Sequence, residues 1–204
     1  MRTAADARAV STALLASAGK GRVSVIMGLE PAWAGAYALG RAFTARGSRG
    51  DNLALHIAVA RAEPGAVIVA DVQGEQETAH CGDLLARAAL ARGIRGIVLN
   101  GSIRDRATIA ELTYPIFHVG TSPRGPAKLV PGELGTVVEL MGVSVHTGDL
   151  ICADDDGVVV VPSADAEFVL QEAADLVTRE LEFEKRIAGG ESTVTIFDLP
   201  GQPA

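Results

Sequence analysis

Two short segments carry the residue types best suited to chemistry. Gly82-Asp83-Leu84-Leu85 opens a helix, and Gly101-Ser102-Ile103-Arg104-Asp105 closes the strand that follows it. Together they offer two carboxylates, a guanidinium and the unpaired backbone amides of a helix start. A helix N-terminus carries partial positive charge and attracts a carboxylate, and Gly82 permits close approach of the ligand. Arg104 presents a planar fork that holds a carboxylate or enolate oxygen through two parallel hydrogen bonds. Asp105 offers hard oxygen ligands of the kind accepted by Mg2+ or Mn2+, ions that keep several waters and need only one or two carboxylates. Such a group suits a divalent metal and a small α-keto acid side by side. Each part also has a plain structural reading, Asp83 as a helix-capping acid and Arg104-Asp105 as an ion pair within a loop.

The elements that must position these residues follow from the apolar pattern. Ala66–Ala70 (AVIVA) reads as a buried strand. A helix over 82–92 follows and stops at Gly93, with Leu84, Leu85, Ala88, Ala89 and Ala91 on one apolar face. Gly96–Leu99 reads as a second buried strand ending at Asn100-Gly101, and a short helix (RATIAEL) leads to a third strand over Pro115–Val119. This alternation predicts an α/β fold whose βαβ core has parallel strands and right-handed crossovers. Ligands of such sheets bind beyond the carboxyl ends of the strands, where Arg104-Asp105 falls.

Outside this core, residues 4–18 are Ala-rich at helical spacing, with Gly19 as the stop. Residues 22–50 are Gly-punctuated, with strand-like pieces VSVIM and AYALGRAFTARG, and Asp51-Asn52 opens a helix that ends at Pro64-Gly65. After Val119 the remainder to Pro162 reads as β-rich, in GTVVELMGVSV, Gly148–Ala153 and Gly157–Pro162, 163–188 reads as a long charged helix, and the tail ESTVTIFDLPGQPA reads as loose at its end. No linker interrupts the text, so residues 1–204 are expected to form a single domain, with an N-terminal helix in 1–20 and a C-terminal helix and tail over 163–204.

Composition narrows the function classes. Hydrophobic residues make up 48% of the 204 and aromatics only 4%, so the core must be built from Ala, Val, Leu and Ile. With 18 basic residues against 25 acidic the net charge is −7, and no Lys/Arg-rich run supplies a footprint for nucleic acid. An anionic substrate therefore needs a local positive site working against the overall field. No apolar run reaches the length of a membrane span and the start lacks a signal-like apolar stretch, so a cytoplasmic location without membrane contact is the expectation.

Cys81 and Cys152 stand far apart and read as buried thiols. His56, His80, His118 and His146 show no metal-ligand spacing and read as structural or surface residues. Asp154-Asp155-Asp156 lacks the EF-hand pattern and reads as a hairpin turn closed by Gly157. Arg124 and Lys128, in SPRGPAK, are candidates to assist a second substrate carboxylate.

The text GDLLARAALARGIRGIVLNGSIRD, with DNLALHIAVARAEPGAVIVAD upstream and YPIFHVGTSPRGPAK and GVSVHTGDLICADDDGVVVVPS downstream, resembles the RraA-like family. That family includes the class II 4-hydroxy-4-methyl-2-oxoglutarate / 4-carboxy-4-hydroxy-2-oxoadipate aldolases. The resemblance runs from about Gly40 to Pro162, and its blocks match in order and spacing. It implies Asp105 as the metal ligand, Arg104 as the substrate-binding and catalytic arginine, and Gly82, Asp83, Leu84 and Leu85 as the cradle of a pyruvyl group. Asp83 would also touch metal-bound water and take a catalytic part.

The implied activity is a pyruvate aldolase dependent on Mg2+ or Mn2+. It would cleave 4-hydroxy-2-oxo dicarboxylates to pyruvate and a keto acid, with oxaloacetate decarboxylation as a side activity. The implied assembly is a homotrimer or a dimer of trimers, with a C-terminal glutamate, Glu180 first and Glu182 or Glu184 next, reaching a neighbouring subunit's site. The family also contains non-catalytic regulators that bind and inhibit ribonuclease E, and such a protein–protein role is the alternative. Members of that branch can lack the aspartate after the arginine, which this chain keeps. Two departures stand out: Ser11-Thr12-Ala13-Leu14 replaces a usual Ser-Asp-Ala-Leu, and Asn100-Gly101 replaces a usual Asp-Gly, which puts substrate preference in doubt.

Overall fold

A computed structural model describes residues 10–201. The chain opens with α1 (Thr12–Ala18), β1 (Ser24–Ile26), β2 (Glu30–Pro31) and β3 (Ala38–Arg46). A parallel succession follows: α2 (Leu53–Arg61), β4 (Val67–Cys81), α3 (Asp83–Ala91), β5 (Gly96–Ile103), α4 (Arg106–Glu111) and β6 (Ile116–Thr121). Short strands β7 (Glu133–Leu134), β8 (Val138–Leu140) and β9 (Val143–Val145) lead to β10 (Leu150–Asp154), β11 (Gly157–Val161), α5 (Ala166–Ala188) and α6 (Thr193–Ile196).

Strands β3, β4, β5 and β6 are parallel neighbours, joined by α2, α3 and α4. The parallel core thus begins one strand earlier than the sequence suggested. Antiparallel β10, β11 and β1 extend the sheet beyond β3, and β2 closes the other edge against β6. Both faces are covered, which explains the unbroken apolar runs. Ile68, Ala70, Ile97 and Leu99 pack under α2, α3 and α4. Val67, Val69 and Val98 face the β8–β9 hairpin and the inner side of β10–β11. Val159 and Val161 point the other way, under α1 and α5.

Several boundaries differ from the sequence reading. Helix α1 starts at Thr12 because extended Ser11 caps it, its hydroxyl accepting from the Leu14 amide at 3.1 Å. Residues 4–9 of the expected helix lie outside the described residues. Strand β4 does not stop at Ala70 but runs on through the polar text to Cys81, with register shifts against β5. Likewise β5 does not end at Asn100-Gly101; it continues to Ile103, buried throughout. Gly101 serves there as a packing glycine, since a Cβ would collide with Val72 Cγ2. Asn100 Nδ2 donates to Asp71 Oδ1 at 2.9 Å, and Ser102 Oγ donates to the Gln76 carbonyl at 3.0 Å, so these two donors find partners in the bulged part of β4, while the buried Asn100 Oδ1 has none among the described residues.

On α3 the inward residues are Leu85, Ala86 and Ala89, whereas Leu84, Ala88 and Ala91 are exposed, a rotation of the expected apolar face. The tail folds back on α5: Phe183 and Phe197 meet edge to face at 5.1 Å, and Arg186 pairs with Glu191. The acidic turn does join two antiparallel strands, with Asp154 accepting from the Thr12 amide and Asp155 from the Gly35 amide. Both cysteines are buried and free, and burial pushes the Cys152 thiol up to about 12. Among the described residues no helix is long and apolar enough to cross a membrane.

Candidate functional site

The carboxyl ends of β4, β5 and β6 converge on one edge of the sheet. Cys81 ends β4 and Gly82 caps α3, while Ile103 ends β5 and Arg104-Asp105 leads into α4. Thr121 ends β6 and opens the loop that carries Ser122, Arg124 and Lys128. Backbone bonds lock the edge together: the Arg104 amide donates to the Cys81 carbonyl at 2.9 Å, and the Ser122 amide to the Ile103 carbonyl at 3.0 Å.

This register brings the two segments together. The Asp83 amide points at Asp105 Oδ2, 3.4 Å away, and Arg104 Nε lies 3.4 Å from the same oxygen. Gly82 has an ordinary extended backbone (φ −139°), so conformational freedom is not its purpose. Its purpose is space: a Cβ at that position would lie 2.6 Å from Asp105 Oδ2 and 3.1 Å from Arg104 Nε. Asp105 adopts a left-handed conformation (φ 59°, ψ 33°) at the cap of α4 and makes no capping bond with its side chain. Strained non-glycine backbone of this kind collects at ligand sites, where surrounding structure holds it. Beneath the two aspartates sits Cys81, whose thiol is pushed up to about 12 by burial, helped by the charges of Asp105 and Asp83. It is an inert packing residue.

Arg104 stands between two cavities. One, about 450 Å³, is lined by Asp105, Arg106, Thr121 and Ser122. The other, about 80 Å³, is lined by Gly82, Asp83, Leu84, Leu85, Asn52, His56 and Lys128. Exposed Leu84 is thus a cavity wall, which explains why a leucine at the start of α3 points away from the core. His56 enters the site from α2 and Asn52 from its N-cap, a contribution that sequence spacing does not reveal, because it depends on the pairing of β3 with β4. Burial, then the Lys128 charge, hold the His56 pKa below the ordinary imidazole value.

The remaining candidates are separated from the site. Arg124 pairs with Glu77 at 3.4 Å on the surface. Glu180 is exposed on α5 and lines neither cavity. Buried His80 and His118 lie inside the fold, both held below the usual imidazole pKa chiefly by burial. Among the described residues no three His, Cys, Asp or Glu side chains converge as a protein-only metal cage. What is present, the Asp105 carboxylate without a capping bond and an Asp83 carboxylate at the start of α3 held by Arg87 at 3.4 Å, is a hard-oxygen donor set that fits an ion of the Mg2+ class that retains waters.

The sequence matches the RraA-like family, described as Aldolase/RraA, over residues 3–160. It is 36% identical over 166 residues to a Halalkalibacterium halodurans protein provisionally named a 4-hydroxy-4-methyl-2-oxoglutarate aldolase, covering 81% of this chain and 79% of that one. Streptomyces coelicolor RraAS2, described as an unusual member of the RNase ES inhibitor RraA protein family, superimposes with a TM-score of 0.74 at 32% identity, over 86% of this chain and 91% of its own. The RNA-processing inhibitor RraA from Thermus thermophilis gives 0.68 at 26% identity, over 79% and 94%. The matched span contains the Gly82–Leu85 cradle, the Arg104-Asp105 turn and the parallel core that joins them, and the chain belongs to the RraA-like family.

Proposed function

We propose that this chain is a divalent-metal-dependent pyruvate aldolase, cleaving 4-hydroxy-2-oxo dicarboxylates to pyruvate and a keto acid. The observation that supports the reading is the missing side chain at Gly82: a Cβ there would lie 2.6 Å from Asp105 Oδ2, so the glycine lets the helix start, Arg104 and the Asp105 carboxylate pack against one another. An Mg2+ or Mn2+ ion held by Asp105, with Asp83 behind a coordinated water, would supply Lewis-acid polarisation of a 2-keto oxygen.

The chain's own groups supply the rest. The amides of Gly82 to Leu85 hold the carboxylate of the pyruvyl end. Asp83 accepts the proton of the C4 hydroxyl through an ordered water and, as the acid so formed, holds it for return to C3. As C3–C4 breaks, its electron pair enters the pyruvyl fragment as an enolate, and the C4 carbon leaves as the carbonyl of the second product. Arg104 stabilises the charge that develops on the enolate oxygen, and a proton delivered to C3 completes pyruvate. Oxaloacetate decarboxylation passes through the same enolate and is the expected side activity.

A homotrimer or dimer of trimers suits this reading if Glu180 of one copy reaches the site of the next, since within one chain it lines neither cavity. The experiment is pyruvate release from 4-hydroxy-4-methyl-2-oxoglutarate with EDTA and then with added Mg2+ or Mn2+. Activity that survives complete metal removal would sink the assignment. The regulatory reading, favoured by the likeness to RNA-processing inhibitors, predicts instead that an Asp105→Asn variant still inhibits a ribonuclease while the native chain turns over no keto acid.

A further inference from the structure

Resting on that reading of the site, we propose that Lys128 reads the second carboxylate of the substrate and sets the preference for 2-keto dicarboxylates over monocarboxylates. Lys128 lines the same small cavity as the α3 cradle and Arg104. The charge balance there is unfinished. Arg104 already faces Asp105 at 3.4 Å, so one cation is shared between a resident carboxylate and any ligand. The chain as a whole carries −7, and a dianion entering the site meets net repulsion unless a further cation is at hand.

Lys128 is that cation. Among the described residues it has no ion pair, whereas the neighbouring Arg124 is engaged by Glu77. His56, the other basic group on this cavity, is held toward its neutral form by burial and by Lys128 itself. It can hydrogen-bond a ligand without supplying charge.

The loop is built to hold Lys128 in place, although the side chain is exposed. On one side, the Ala127 amide donates to the Gly50 carbonyl at 2.8 Å and the Asn52 amide to the Ala127 carbonyl at 3.0 Å. On the other, buried Asp51 accepts from the Leu129 amide at 2.6 Å and the Val130 amide at 3.2 Å. Residues on both sides of Lys128 are thus tied to the start of α2, the helix that brings Asn52 and His56 to the cavity. A lone surface lysine needs no such strapping. Preorganisation of a cation over a cavity lowers the ordering cost of each ligand contact.

The test is equilibrium binding, by calorimetry in the presence of Mg2+, of two probes with the same keto-acid head. 2-Oxoglutarate ends in a carboxylate and 2-oxopentanoate in a methyl group. The native chain is expected to bind 2-oxoglutarate about 10-fold more tightly, the scale of one partly exposed charge-assisted contact. Lys128→Met abolishes the difference by weakening 2-oxoglutarate alone, and Lys128→Arg keeps most of it. A preference that survives Lys128→Met, or a native chain with no preference, overturns the inference. Neither probe has a bond for the aldolase to cleave, so a chain that discriminates through Lys128 but releases no pyruvate from hydroxy-oxo dicarboxylates would refute the proposed function and leave the role of Lys128 standing.

Discussion

The two pairs of acidic residues near the ends of the parallel strands have opposite fates. Asp51 and Glu75 are buried, each accepting from three backbone amides: Leu53, Leu129 and Val130 for Asp51, and Gly50, Glu77 and Thr78 for Glu75. Burial alone would push both carboxyls up, but those amides and the nearby His80 outweigh it and hold both below the usual carboxylate range. Asp83 and Asp105 are partly exposed, and their contacts with Arg87, Arg104 and one amide all lie at 3.4 Å. The same chemical group is saturated in one place and underused in the other. A carboxylate whose lone pairs are filled by its own chain is structural, and one held in position but left with spare acceptor capacity is available to a ligand.

The sharpest way to break this contrast is to remove one member of each set. Asp51→Ala strips the acceptor from three amides and is expected to cost about 3–6 kcal/mol, read from urea unfolding midpoints. A loss under 1 kcal/mol would mean that water or a relaxed loop replaces the carboxylate, and the saturated set would lose its structural meaning. Arg104→Ala is expected to lower kcat for pyruvate release by about 10²–10³ while leaving the unfolding midpoint nearly unchanged. If the rate holds, Arg104 leaves the mechanism.

Gly82→Ala tests the space itself. Its backbone suits alanine, so stability should hold, but the new methyl must displace the Asp105 carboxylate or the Arg104 stem. An expected fall of about 10-fold in kcat/KM follows from misplacing a charge partner by a fraction of an ångström. Unaltered kinetics would place the reacting atoms elsewhere.

The smallest effect concerns pH. His80 and His118 are held below 6.5, chiefly by burial, so the unfolded chain binds more protons than the folded one as pH falls through that value. Stability should therefore decline from pH 7 toward pH 5, by up to about 1.4 kcal/mol per pH unit for each such histidine, and further below pH 4.5 as Asp51 and Glu75 take up protons. A flat unfolding midpoint between pH 7 and pH 5 would show that these rings are protonated in the folded state.

The sequence made the parallel core legible where both faces of a strand are buried, because apolar runs such as AVIVA and GIVL leave few other readings. It misled where polar residues sit inside the sheet. Asn100-Gly101 has the composition of a turn, yet it lies in a buried strand, where the Asn100 side-chain NH2 donates to Asp71. The text from Asp71 to His80 has no alternating pattern, because its bulges break the period of two that a strand leaves in sequence. Leu84 fits an apolar helix face by spacing alone and instead lines a cavity.

Local sequence determined what each piece could offer: a helix start with a glycine before it, an arginine beside an aspartate, and strands to carry them. Those properties depend on neighbouring residues, so they are written in short stretches of text. Only the tertiary structure decided that the Asp83 amide faces the Asp105 carboxylate, that Arg124 pairs with Glu77 whereas Lys128, among the described residues, has no ion pair beside the cradle, and that α2 delivers His56 to the same cavity. These are contacts between segments far apart in sequence, set by the register of β3, β4, β5 and β6, and register is a property of the packed sheet that no single segment encodes.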